Sequence, residues 1–246
     1  MKQKLLVAAL LSLITCQTNT LLAQNSGKIL KVSYVTTPQS PKILLLLKKQ
    51  IPNPEQYNKI AALLSEYKFY HTLYVDTKTQ ASVFSLDSIH SVPNVSTIGN
   101  VVFAVKDDKN NYTCREKFGA SEFLFKGNTA ELDWDVTKET AVVNGFKCLK
   151  AMLKNSPDVA AWFAPDIPIG NGPGIYYGLP GLVIKVQTNY DETITAKVSY
   201  TADAKNFQSA YDEKSEAASK GKVLALKEVT TSKIAFMRMV ESKVNE

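Results

Sequence analysis

Apolar and polar residues alternate one for one along much of this chain, and a period of two admits little except strands with one buried face. Leu132, Trp134 and Val136 alternate with Asp133, Asp135 and Thr137. Leu182, Ile184 and Val186 stand against Lys185 and Gln187, and Ile194, Ala196, Val198 and Tyr200 against Thr195, Lys197, Ser199 and Thr201. Tyr67, Phe69, His71, Leu73 and Val75 follow the same rule. Residues 107–111, Asp-Asp-Lys-Asn-Asn, separate two further runs as a hairpin loop would. About ten candidate strands lie between Lys28 and Ala202. One-sided alternation predicts antiparallel pairing, because parallel strands are covered on both faces and read as continuous apolar runs.

Helical signals are few. Asn53 can cap a helix over 54–66, Pro54 suits its first position and Gln56 completes a capping-box-like pair. Tyr57, Ile60, Leu63, Leu64 and Tyr67 then share one face. A second helix is predicted from Thr231 to Ser242, with Ile234, Met237 and Val240 on its stripe. The charged stretch 203–222 is either a solvated helix or a mobile excursion. The expected fold is mainly β: a curved antiparallel sheet, a half-barrel resembling that of periplasmic lipoprotein carriers, with one or two helices packed on it.

The amino terminus sets the compartment. Lys2 and Lys4 precede a ten-residue apolar core, Leu5 to Ile14, and a polar break leads to Leu21-Leu22-Ala23-Gln24. Such a core is about half of the ~20 residues that span a bilayer and suits a secretory signal peptide. Residues 1–24 are therefore read as a signal peptide and 25–246 as a single β-rich domain, periplasmic or extracellular. Leu13-Ile14-Thr15-Cys16 offers a minor alternative, a lipoprotein anchored through Cys16. Without the leader the net charge falls from +6 to +4, spread along the chain. No basic stripe suits nucleic acid. Cys114 and Cys148 form an even pair in an oxidising compartment, so a disulfide is expected, with free buried thiols or a metal site as alternatives.

Between two strand-like runs, nine Gly and Pro residues crowd 165–181: Pro165, Pro168, Gly170, Gly172, Pro173, Gly174, Gly178, Pro180 and Gly181. That density predicts a long, rigid connection. Leu179-Pro180-Gly181-Leu182 suits a type II turn with Gly181 at φ > 0, and Asn171-Gly172-Pro173-Gly174 a second turn. Leu182 and Ile184 should then be buried beside Trp134 or Trp162. The functional alternative exposes Tyr177 and Leu179 as hydrophobic anchors.

This stretch resembles the GLPGLI family, secreted proteins of Gram-negative bacteria. Gly178-Leu179-Pro180-Gly181-Leu182 carries the motif, with Val183 in place of its final Ile. The likeness extends to Trp134 with Thr137-Lys138, to Gly145-Phe146-Lys147-Cys148, and to Ala161-Trp162 followed by Pro165-Asp166-Ile167-Pro168 and Gly172-Pro173. The resemblance implies a compartment and an architecture but no reaction.

Catalytic signals are absent from the sequence. There is no GxSxG, and neither His71, on the apolar face of its strand, nor His90 has zinc spacing. The Gly-rich loop leads into a strand rather than a helix, unlike a phosphate-binding loop. No catalytic residue, metal or cofactor is expected, and binding residues are left unassigned. The expected function is that of a non-enzymatic envelope protein binding an apolar ligand, a lipid or a partner segment. The alternative is an interaction module docking on an outer-membrane complex without a ligand cavity.

Overall fold

A computed structural model describes residues 27–244; the signal-peptide reading and Cys16 lie outside them. The described chain forms one sheet of twelve strands that does not close into a barrel. In chain order these are β1 (Ile29–Thr37), β2 (Lys68–Asp76), β3 (Ser82–His90), β4 (Gly99–Lys106), β5 (Asn111–Phe118) and β6 (Ser121–Asn128), then β7 (Trp134–Val143), β8 (Phe146–Leu153), β9 (Ser156–Ala164), β10 (Leu182–Gln187), β11 (Glu192–Thr201) and β12 (Val223–Ala225). Across the sheet the order is β12-β6-β5-β4-β3-β2-β1-β11-β10-β9-β8-β7. Every pairing is antiparallel except β12 on β6, a three-residue parallel edge. The mainly β, antiparallel fold expected from the alternation is thus the one observed.

Four helices accompany the sheet: α1 (Pro41–Gln50), α2 (Pro54–Glu66), α3 (Ala204–Ala218) and α4 (Leu226–Val244). The start of α2 is as expected, the Asn53 side chain accepting from the Gln56 N–H. Two others exceed the one or two helices expected. The first, α1, is capped by Ser40, whose side chain accepts from the Ile43 N–H. The second settles residues 203–222: α3 is an amphipathic helix capped by Asp203, and its Phe207 packs with Ile29, Val83 and Val105 on the outer face. Among the described residues no helix is long and apolar enough to cross a membrane.

The sheet curls. Side chains from β6, β5, β4, β3, β2, β1 and β11 line one cavity of about 70 Å3. Strands ~4.8 Å apart would spread those seven over roughly 29 Å in a flat sheet. Bulges supply the curvature and also break the alternation read from sequence. Register slips by one residue between Ser33 and Tyr34 of β1, where Ala196 of β11 is the extra residue. Ala196 is consequently exposed, while Thr195 is buried against Tyr34. In β10 the slip falls at Ile184, so Val186 joins Val183 on the outer cluster while Leu182 and Ile184 stay in the inner one. In β7 it falls between Val136 and Thr140, and Val136 is 44 % exposed.

The Gly-Pro connection fills the hollow of the curl. Ile169 and Tyr177 belong to the main core with Leu30, Tyr34, Phe84 and Phe125, and Leu182 and Ile184 are buried there beside Trp134 and Trp162. The Tyr34 hydroxyl donates to the Val183 carbonyl at 2.6 Å and Trp134 Nε1 to the Tyr177 carbonyl at 2.8 Å. Tyr177 and Leu179 are buried, so they are not surface anchors. Gly181 is not at φ > 0, so the expected type II turn does not form; a side chain there would instead run into the Ala164 carbonyl. The positive φ angles are at Gly174 (61°) and Gly178 (86°). The second turn is accordingly shifted to 173–176, closed by the Tyr176 N–H on the Pro173 carbonyl.

The expected disulfide is absent: Cys114 and Cys148 are both free and buried. Cys114 lies on β5 and Cys148 on β8, with β4, β3, β2, β1, β11, β10 and β9 between them. This packing can be tested at two points. Gly181→Ala should lower stability by about 1–3 kcal/mol, because a backbone carbonyl has to move; a urea midpoint equal to that of the parent would show that the space exists. Unfolding in denaturant without reductant should release two titratable thiols from Cys114 and Cys148, and a count of zero would restore the bridge.

Candidate functional site

Several inward-facing strand positions are not apolar, and three of them come together at one end of the hollow. On β5, Tyr112, Cys114, Glu116 and Phe118 share the inner face, so a carboxylate stands where the alternation calls for an apolar side chain. On β2, His71 takes the same place between Phe69 and Leu73. On β11 the Ala196 bulge turns Thr193 inward, where its hydroxyl bonds to that of Thr36 at 2.8 Å. These groups meet beneath α4, whose inner stripe runs Val229, Lys233, Met237 at a spacing of four.

Lys233 is the centre of the arrangement. Its Nζ donates to both Glu116 carboxylate oxygens, at 2.5 and 2.6 Å, and lies 5.3 Å from the centroid of the Phe118 ring. The pair is largely shielded from solvent. Burial opposes the ammonium charge, but the Glu116 carboxylate outweighs it and raises the Lys233 pKa. Asp191, in the Thr188–Asp191 turn between β10 and β11, completes the polar wall; Thr188 Oγ1 donates to its Oδ1 at 2.7 Å. Burial is the main cause that pushes the Asp191 carboxyl up to about 6, with the Glu116 charge adding to it.

His71 is 2 % exposed and stacks on Phe84 at 4.7 Å between ring centroids. Its Nε2 lies 3.0 Å from the Val101 carbonyl. A carbonyl only accepts, so Nε2 carries the proton and Nδ1 presents a bare lone pair. That atom is buried, with the Phe69 backbone beside the ring. Burial depresses the His71 pKa to about 4, so the ring is neutral over the physiological range. Cys114 lines the same cavity, but burial raises its thiol well above the usual value. A neutral imidazole and an undissociated thiol are not an activated nucleophile pair.

The polar cavity opens alongside a larger one. A chamber of about 200 Å3 is walled by Phe125, Leu132, Leu153, Ile175 and Val229, and shares Tyr176, Tyr190 and Lys233 with the polar end. Its mouth is rimmed by residues 155–158 and by Ile234 of α4, which is 47 % exposed. Among the described residues, no group of three His, Cys, Asp or Glu side chains is placed to hold a metal ion.

Of the residues singled out from sequence, Trp134, Leu179, Leu182 and Gly172 form the packed loop and its support, whereas Pro173 of the same loop lines the polar cavity. Pro168, Gly178 and Pro180 belong to the same loop, and all three are exposed. Trp162 lies at its base, with Lys185 Nζ 4.8 Å from the ring centroid. Glu116, Lys233 and Asp191 are not among the residues that motif reading singles out. A charged residue inside an otherwise apolar stripe, at Glu116 in β5 and Lys233 in α4, is the signal that marks two of them.

His71 and Asp191 oppose each other in their pH dependence. A depressed histidine pKa contributes stability that is present above pH ~6.5 and is lost as pH falls towards 4. A raised carboxyl pKa does the reverse: its contribution is full below pH ~3.8 and is lost as pH rises through 6. Over pH 4–6.5 the two offset. Asp191→Asn should therefore make the protein more acid-sensitive than its parent in that window, by up to about 3 kcal/mol at pH 4. Parallel stability–pH curves for parent and variant, from urea unfolding, would contradict the assignment.

Residues 152–185, from the end of β8 through the Gly-Pro loop into β10, match the model of a family described as a protein of unknown function (Porph_ging). The matched stretch contains Gly178–Leu182 and is compatible with the GLPGLI resemblance. No curated protein matches the sequence. Two solved structures of PNGF-II, in the C2 and P21 space groups, are similar at 13% and 15% identity with TM-scores of 0.43 and 0.42. Each match covers 80% of this chain, and this chain spans only 31% of the length of either structure. A third structure, of an uncharacterized conserved protein from Thermus thermophilus, matches at 5% identity and a TM-score of 0.34, over 86% of this chain and 98% of that one.

Proposed function

We propose that this chain is a non-enzymatic, exported envelope protein that binds a small, largely apolar ligand or partner segment in the cleft between the inner face of the sheet and α4. The observation that carries this reading is the 200 Å3 chamber. In a core otherwise packed by Ile169, Tyr177 and Leu182, it is bounded on one side by a helix rather than by the sheet. Its size lies below the ~300 Å3 at which drug-sized pockets begin, so a short chain or a single ring suits it and a diacyl lipid does not.

A second reading, the docking module, rests on β7. This strand ends the sheet, Val142 on it is 72 % exposed, and its outer edge is free to accept an extended partner segment as an added strand. The two readings separate on one variant. Val229→Trp fills the chamber from α4 without touching β7. Titration with the neutral fluorophore N-phenyl-1-naphthylamine should show saturable 1:1 binding to the parent and at least a tenfold loss in the variant. Equal binding by both would place the probe elsewhere and remove the support for the cleft. Capture of an envelope partner that survives Val229→Trp would favour β7.

A further inference from the structure

We propose that the polar end of the cleft selects a primary ammonium group, so that the ligand is a small alkyl or aryl amine rather than a fatty acid or a phosphorylated lipid. The inference rests on the cleft reading above and adds the chemistry of the head group.

The charge balance of the wall argues for it. Glu116 and Asp191 face one ammonium, that of Lys233, and both of the Glu116 oxygens are already bonded to it. An anionic head would therefore find the wall's cation neutralised and would meet the Asp191 carboxylate. An ammonium group meets the opposite situation, an acceptor set in want of donors. Asp191 Oδ1 accepts one hydrogen bond from the Thr188 hydroxyl, which leaves acceptor capacity on its carboxylate. His71 lines the same cavity and is neutral, so it adds no positive charge to the wall. Asp158 at the mouth of the chamber adds a further carboxylate along the entry path, held by Asn189 Nδ2 at 2.6 Å.

Size and shape agree with an amine of this kind. The polar cavity, about 70 Å3, accommodates a head of a few heavy atoms, and the chamber beside it takes a short apolar body. The remaining titratable groups of the wall are the Cys114 thiol and the Tyr176 and Tyr190 phenols, and burial holds all three in their neutral forms. His71 stays neutral until about pH 4, so it does not compete for the ligand's charge.

The test compares three probes of one length, hexylamine, 1-hexanol and hexanoate, by isothermal titration of the exported protein at pH 7.5 and pH 5. Hexylamine is expected to bind at least tenfold more tightly than hexanol, and hexanoate more weakly than either. That advantage should shrink severalfold at pH 5, where Asp191 takes up a proton. In Asp191→Asn the amine-to-alcohol ratio should fall towards one at pH 7.5. Equal binding of amine and alcohol by the parent, or tighter binding of hexanoate, would overturn the head-group assignment while leaving the cleft in place. Failure of all three probes would overturn the cleft reading itself, and the assignment with it.

Discussion

The backbone of residues 170–181 lies against the inner face of the sheet so closely that side chains are excluded at two points. A Cβ at Gly172 would sit 2.7 Å from the Val183 Cβ of β10, and one at Gly181 would overlap the Ala164 carbonyl of β9. This approach decides what the curled sheet can enclose. An open sheet bent by bulges has a hollow face that must be covered, and in a carrier the hollow is left for cargo. Here Tyr177 and Ile169 occupy most of it, and the loop is fixed by bonds from the Leu182 N–H to the Ile167 carbonyl and from the Val183 N–H to the Asn171 carbonyl. Lys106 braces the loop from below: it is almost fully buried, its Nζ donates to the Gln80 carbonyl and lies 5.7 Å from the centroid of the Tyr177 ring. A ligand inside the curl is confined to the space the loop leaves.

That remaining space is polar at one end for a structural reason. Bending the sheet requires bulges, and a one-residue bulge inverts the faces of the residues beyond it. At Ala196 the inversion places Thr193 and Thr195 inside and Ala196 outside. The same distortion that closes the curl thus supplies hydroxyls to its interior, next to Glu116 and His71, whose inward positions follow from unbroken alternation.

The bulges also decide how much of the fold is legible in the sequence. Alternation over 67–75 and the hairpin around 107–111 can be read directly, because no slip affects which face those runs present. The inward Leu182 and Ile184 are legible in the same way, and Val186 is not, because the slip lies between them. The Gly-Pro loop is recognisable as rigid, but the reason for Gly181 is not. Local turn chemistry points to a positive φ, whereas the constraint is a carbonyl from β9, distant in sequence. Asp191 carries no signal at all. Its importance comes from burial beneath α4, 42 residues along the chain at Lys233, and nothing local records that.

The placement of α4 depends on the one charge in its inner stripe. Val229 and Met237 are apolar anchors a turn to either side of Lys233, and apolar contacts alone would tolerate a helix displaced by one turn along its groove. Such a shift would carry Lys233 away from Glu116 and leave two shielded charges without partners, at a cost of about 3–5 kcal/mol for a broken buried pair. The intact pair need add little net stability to exert this control, since its attraction is largely offset by desolvation. Its effect is to make one register of α4 much better than its neighbours. The three-residue pairing of β12 with β6, just before the helix begins, fixes the other end of the lever. A helix held in register at two points but packed over a chamber between them covers that chamber without filling it, which is the geometry a binding cleft requires.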